Sequence, residues 1–288
     1  EIYTLSLHDA LPISSLSKEL WYNPIMIVAV DTGGTKTLVA RFNDNGQPEQ
    51  IIKFPTPKDI EQYIQRVTDQ IHLISGDSAT TLSVALPGIV HDGIAVWCQN
   101  LNWQNIPIRQ LFAKNFPNAN IIVANDANMA GLASMHRLDK LPRCGLYITI
   151  GTGIGTSLIL NGVLDKSLND CEGGHMMLSY GGRTLSWEQI AAGRVFYELF
   201  GELSKETSLE VWSEIAKRIS VGLQPLIAFT QPDVIVIGGS IGSFVPYFTD
   251  ILSGLLAENL PAAIAVPKIT SAPKLTKRSE ERRCRERV

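Results

Sequence analysis

A chain of 288 residues with 45% apolar and 18% charged side chains can bury one large core or two smaller ones. Its net charge of −3 argues against a nucleic-acid surface, and no run has the length and apolarity of a membrane span. The four cysteines, Cys98, Cys144, Cys171 and Cys284, are scattered without a C-x-x-C, which excludes a disulfide scaffold and fits a reducing, cytoplasmic setting.

In chain order, Glu1 to Ile13 lacks the basic start and cleavage site of a signal peptide. The stretch Leu5 to Ile13 and the tail Arg278 to Val288 resemble translated sequencing-adapter DNA. Residues 1–25 and 276–288 are therefore expected to be non-native, with Met26 the natural start. Ile27–Val30 and Thr37–Phe42 predict two strands around a glycine turn, and Asn43-Asp44-Asn45-Gly46 is a hairpin signal before a third strand, Glu49–Phe54. Ile60, Ile64, Val67, Ile71 and Ile74 fall at helical spacing, so Lys58–Ser75 is predicted as an amphipathic helix. A strand at Thr81–Ala85, a helix at Ile106–Asn115, a strand at Ile121–Ala124 and a helix at Asp126–Arg137 follow. Gly145–Ile150 then opens a second cycle of strand, glycine turn and strand. Helices are predicted at Thr184–Glu198, Leu209–Phe229 and Phe244–Leu256, with strands at Val234–Ile237 and Lys268–Ser271. Alternating strands and helices define an α/β class. The repeated opening predicts two similar lobes, 26–130 and 131–275, with a cleft between them of the kind that binds ligands.

Three glycine turns and one acidic helix start carry the candidate chemistry. In Asp31-Thr32-Gly33-Gly34-Thr35-Lys36, Asp31 can hold a water on Mg²⁺, Gly33 and Gly34 let a phosphate approach the backbone, and Thr35 adds a hydroxyl. A tight hairpin turn explains the same residues, and the spacing is not a Walker P-loop. Gly151-Thr152-Gly153-Ile154-Gly155 is a second such turn. Gly238-Gly239-Ser240 is a third, where a flat adenine or ribose could lie against bare backbone. Asp126, in Asn125-Asp126-Ala127-Asn128, stands where a carboxylate can act as general base, although Asn125 or Asp126 could equally cap the helix. In Glu172-Gly173-Gly174-His175, Glu172 and His175 could bond sugar hydroxyls.

The order of these motifs resembles the ROK family of sugar kinases, within the actin-like ATPase superfamily, over about Met26 to Pro273. The resemblance implies a two-lobed, ribonuclease H-like fold with a central cleft. It gives Asp31, Gly33, Gly34, Thr35 and Lys36 to a first phosphate motif, Gly151, Thr152, Gly153 and Gly155 to a second, and Gly238 and Gly239 to adenosine. Asp126 takes the role of catalytic base. Glu172, His175 and Glu188 become sugar contacts, joined by Asn125 and, as lesser candidates, Gly88 and Asn100. The implied reaction is ATP- and Mg²⁺-dependent phosphorylation of a hexose, glucose at its 6-hydroxyl. N-acetylated or epimeric hexoses are the alternative acceptors, and a non-catalytic sugar-sensing protein or repressor is the alternative class. No nucleic acid or membrane partner is expected, and a homodimer is. Most family members carry a cysteine zinc loop before the second Glu. Aligned back from Glu188, its three cysteine positions hold Ser179, Gly181 and Ser186, so no structural zinc is expected. Other packing, through Tyr180 and Trp187, is expected to hold His175 toward the sugar.

Overall fold

The apolar run Ile-Val-Ala-Val before Asp31 is buried throughout, as a central strand covered on both faces must be. It forms strand β1 (Ile27–Thr32) of a computed structural model that describes residues 26–43, 46–76 and 78–273. The adapter-like ends lie outside the described residues, as do Asp44 and Asn45 of the hairpin signal. The described chain divides into two units, residues 26–136 with 164–171, and residues 137–163 with 172–273.

In the first unit, β1 returns antiparallel as β2 (Lys36–Phe42), and β3 (Pro48–Pro55) pairs antiparallel with β2. Helix α1 (Ile60–Ser75) starts two residues later than its periodicity predicts, because the Asp59 carboxylate accepts from the Gln62 N–H and fixes the helix start there. Strand β4 (Thr81–Leu86) runs parallel to β1. Strands β5 (Ile89–His91), β6 (Ile94–Cys98) and β7 (Trp103–Ile106) form a small separate sheet. Helix α2 (Ile108–Asn115) therefore begins after Ile106, which pairs with Ala95. Strand β8 (Asn120–Asn125), parallel to β4, leads directly into helix α3 (Asp126–Met135). The sheet order is β3-β2-β1-β4-β8. Tyr63, Val67, Ile71 and Ile74 of α1 join Val28, Val30, Leu82, Val84 and Phe112 in one core.

The second unit repeats this plan. Strand β9 (Cys144–Ile150) turns back into β10 (Ile154–Leu160), and the short β11 (Val163–Leu164) lies at the sheet edge. After β12 (Met177–Tyr180) and β13 (Arg183–Ser186) come helices α4 (Trp187–Ala191), α5 (Gly193–Phe200) and α6 (Leu209–Thr230). Strand β14 (Val234–Gly238), parallel to β9, runs into the single-turn α7 (Gly239–Gly242). Helix α8 (Val245–Asn259) and strand β15 (Lys268–Ser271), parallel to β14, complete the unit. Its sheet order, β11-β10-β9-β14-β15, matches the first sheet position by position. The expected α/β, ribonuclease H-like plan is thus present twice.

The predicted helix Thr184–Glu198 is corrected. Arg183–Ser186 is a strand, paired with Met177–Tyr180 around Gly181-Gly182. Both glycines have positive φ, 57° and 74°, the backbone of a primed hairpin turn that side chains resist. Ser186 then caps α4 in a reciprocal pair with Gln189, and the extended Ala192 separates α4 from α5. Trp187 at the head of α4 is fully buried and lies against Gly222 of α6, where a Cβ would stand 2.1 Å from its ring. Gly222→Val is therefore expected to destabilise the chain by about 1–3 kcal/mol through overpacking. Denaturant unfolding monitored by tryptophan fluorescence checks it, and an unchanged midpoint would contradict the packing.

Candidate active site

In the first unit the site is built on the ends of parallel strands. β1 delivers Asp31, and β8 delivers Asn125 and Asp126. The helix cap falls to Asn125. Its Oδ1 accepts from the Asn128 N–H at 3.1 Å, and its Nδ2 donates to the Gly88 carbonyl at 2.7 Å. Asp126 is the first residue of α3 and is relieved of that duty; its carboxylate accepts from the Ala127 N–H, at 2.7 Å to Oδ1, and from its own backbone N–H. Desolvation pushes Asp126 up to about 6, against the pull of those backbone N–H bonds. Asp31 is pushed up to about 7, first by burial and then by the nearby charge of Asp126.

Two carboxylates raised together mark uncompensated negative charge. Their oxygen donors fit a hydrated divalent cation such as Mg²⁺, which would offset that charge. The described residues contain no cluster of three or more His, Cys, Asp or Glu side chains that would enclose a metal by protein ligands alone. Such a cation would therefore rest on few protein oxygens and keep several waters.

The first glycine turn is braced from outside. The Gly33 N–H closes it on the Lys36 carbonyl at 2.9 Å, and the Thr56 hydroxyl donates to the Gly33 carbonyl at 2.8 Å. Behind it, the buried Thr32 and Tyr63 hydroxyls meet at 2.7 Å. Lys58, which the sequence did not signal, donates from Nζ to the Gly34 carbonyl at 2.5 Å and also to the Asn100 carbonyl. One ammonium thus ties the first glycine turn to the loop at Asn100. Thr35, Lys36 and Asn100 are exposed. Gly88 has φ 89°, and a Cβ there would stand 2.3 Å from the Trp97 carbonyl oxygen, so only glycine fits.

In the second unit, Gly151, Thr152 and Gly153 form the β9–β10 turn, while Gly155 lies within β10 opposite Thr149. A Cβ at Gly151 would meet open space. At Gly153 it would stand 2.8 Å from a Glu188 carboxylate oxygen, so Glu188 lies beside this turn. Arg194 approaches the same carboxylate at 4.0 Å. Glu172 precedes and His175 ends a single helical turn, Gly173–His175. Its glycines lie flush on β10, with the Gly173 N–H donating to the Thr156 hydroxyl at 2.9 Å and no room for a Cβ against the Ile154 carbonyl at Gly174. Gly238 and Gly239 are tight for an internal reason. A Cβ on them would strike the Tyr147 hydroxyl at 2.2 Å and the Ile150 carbonyl at 2.4 Å. Their missing side chains let α7 dock on β9.

The candidate residues thus form two constellations, one per unit. Asp31, Gly33, Gly34, Thr35, Lys36, Gly88, Asn100, Asn125 and Asp126 lie in the first. Gly151, Thr152, Gly153, Gly155, Glu172, His175, Glu188, Gly238 and Gly239 lie in the second. Among the described residues no helix is long and apolar enough to cross a membrane.

A strand–turn–strand plan present in both units, with an acidic helix start in the first, defines a class of protein, and comparison with known proteins specifies it. The ROK family model matches residues 27–280, and the chain belongs to the ROK family. It is 26% identical over 289 residues to an N-acetyl-D-glucosamine kinase of Mannheimia succiniciproducens, an alignment covering 86% of this chain and 94% of that one. Its fold matches a ROK family glucokinase from Streptomyces griseus, solved with glucose and AMPPNP, at TM-score 0.70 and 18% identity, covering 86% of this chain and 94% of that one. It also matches a ROK family transcriptional regulator, a homologue of the E. coli MLC protein, at TM-score 0.73 and 18% identity, covering 86% and 74%. The fold is of the actin-like ATPase type.

Proposed function

We propose that this chain is an ATP-dependent sugar kinase that phosphorylates a hexose, with glucose at its 6-hydroxyl as the preferred acceptor. The observation that carries the reading is Asp126, a carboxylate freed from capping by Asn125, raised to about 6 and placed near Asp31. A base of that strength is ionised at neutral pH and still able to take a proton as the hydroxyl attacks.

In the reaction, the hydroxyl oxygen bonds to the γ-phosphorus, the bond from that phosphorus to the bridging oxygen breaks, and ADP leaves. The hydroxyl proton passes to Asp126. When bound, Mg²⁺ offsets the charge of the phosphates. Asp31 would hold it through water. The turns Gly33-Gly34-Thr35-Lys36 and Gly151-Thr152-Gly153, with Gly155, hold phosphate oxygens, and Gly238 and Gly239 lie against the adenosine. Asn125, Glu172, His175 and Glu188 orient the hexose by its hydroxyls, with Gly88 and Asn100 as lesser sugar candidates. The scattered cysteines fit work in the reducing cytoplasm. The enzyme is expected as a homodimer, which light scattering checks.

An N-acetylated or epimeric hexose is the alternative acceptor, supported by the likeness to an N-acetyl-D-glucosamine kinase. These sugars differ from glucose by one or two polar contacts, which such a site discriminates through unpaired hydrogen-bonding groups. A non-catalytic sugar-sensing role is the reading of another class, supported by the likeness to a regulator. It leaves the paired acids Asp31 and Asp126 without a use. A coupled assay of ADP release with glucose, mannose, fructose, allose, N-acetylglucosamine and N-acetylmannosamine tests all three. Fastest turnover on glucose is expected, fastest turnover on an acetylated sugar would move the acceptor, and turnover on none would favour the sensor.

A further inference from the structure

The segment joining His175 to Glu188 is a two-stranded hairpin, β12–β13. Its turn residues and most of its outer face are exposed, and its base is closed by the Trp187 N–H donating to the Met176 carbonyl at 2.9 Å. Leu178 and Leu185 pack on the core of the unit from their partly buried side. A hairpin of four residues per strand has little stability of its own, so tertiary ties decide where it sits.

The polar ties come from α6. At the end of β12, the Tyr180 hydroxyl donates to Glu214 Oε1 at 2.8 Å. Arg218, one turn further along α6, donates from Nε to the same oxygen at 2.8 Å. Its guanidinium carbon also stands 5.0 Å from the centre of the Tyr180 ring, within cation–π range. Its Nη1 donates to the Ile190 carbonyl of α4 at 3.3 Å. Arg218 therefore ties the hairpin to α4: it meets Tyr180, five residues after His175, and Ile190, two residues after Glu188. The Arg218 and Glu214 side chains are only 18% and 33% exposed, so the pair is shielded better than an ordinary surface ion pair.

We infer that Tyr180, Glu214 and Arg218 form a clasp that positions His175 and Glu188 for the hexose, with no contact of their own to the sugar. The inference rests on the sugar-kinase reading for its substrate, but its geometric half stands without it. The clasp supplies by hydrogen bonds what a metal loop would supply by coordination, in a segment whose Ser179, Gly181 and Ser186 offer no thiolate. These are positioning residues. Loosening them changes how well the hexose is held and leaves the phosphate turns and Asp126 in place.

The test compares wild type with Tyr180→Phe, which removes one hydroxyl, with Arg218→Met, which keeps bulk and loses the charge, and with Arg218→Lys. Hexose KM is expected to rise about 10-fold in Arg218→Met and by less in Tyr180→Phe, with kcat and ATP KM within about twofold of wild type. Arg218→Lys is expected to recover part of the loss. Amide hydrogen exchange is expected to quicken in residues 176–190 of both main variants and to stay at wild-type rates in 144–150 and 234–238. Unchanged hexose KM and exchange would overturn the clasp. So would a joint collapse of kcat and both KM values with faster exchange across the whole unit, which marks global destabilisation. If wild type phosphorylates none of the sugars, the kinase reading fails and exchange alone decides: a local rise at 176–190 supports the clasp, and no rise overturns it.

Discussion

Asp126→Asn is expected to lower kcat for hexose phosphorylation by roughly 10²–10⁴-fold, with hexose affinity nearly unchanged. The amide matches the carboxylate in size and can still accept from the Ala127 N–H through its oxygen. It cannot take the proton of the attacking hydroxyl. The helix start survives because Asn125 is the cap. A pH signature accompanies the loss. Burial raises Asp126 to about 6, and the base must be ionised, so the wild-type rate is expected to fall as pH drops through that value. The acid limb of the kcat profile belongs to this carboxylate and is absent from the residual rate of the variant. Steady-state kinetics from pH 5 to 8, with calorimetry for hexose binding, checks both parts. Wild-type-like turnover in the variant would remove Asp126 from its role.

Asp31→Asn is expected to cost roughly 10²-fold in turnover, the scale set by misplacing reacting groups, and to raise the Mg²⁺ concentration needed. It is also expected to stabilise the metal-free chain at pH 8. The folded-state value of about 7 lies above the ordinary 3.8, so the folded chain keeps this proton to higher pH than the unfolded chain does. The contribution of Asp31 to stability is therefore full below about pH 4 and is lost as pH rises to about 7. Above that, the native state carries a buried charge next to Asp126, and the amide does not. The gain is on the order of 1–3 kcal/mol, a shift of several degrees in melting temperature. It vanishes near pH 4. A stabilised but inactive variant is the behaviour of a site that trades stability for chemistry. Equal melting temperatures of both chains at pH 8 would contradict the burial argument.

Much of this was legible because hydrophobic patterning and turn residues agree along most of the chain. The apolar run ending at Asp31, the five-membered helical stripe from Ile60 to Ile74, and the buried run from Val234 into Gly238 each mark an element found near its expected bounds. The order of glycine turns and Asp126 was enough for the family. The hairpin at 177–186 was not legible, because its strands are short, half-exposed and broken by polar residues, so periodicity cannot separate it from a helix start. Gly181-Gly182 was the one usable signal. The close approach of Tyr147 and Ile150 to Gly238 and Gly239 was not legible either. Local sequence cannot show which backbone another strand will press against. Lys58 and Arg218 lay beyond reach for the same reason. Each acts through carbonyls distant in sequence, at Gly34, Asn100 and Ile190.

The measurement that bears most directly on the proposed reaction is phosphorus NMR of the purified chain with ATP, Mg²⁺ and glucose, run beside Asp126→Asn. Growth of a glucose 6-phosphate signal matched by ADP in the wild type, and its loss in the variant, is the expected result. Inorganic phosphate in place of a sugar phosphate, or no change in ATP with any hexose of the panel, would contradict it.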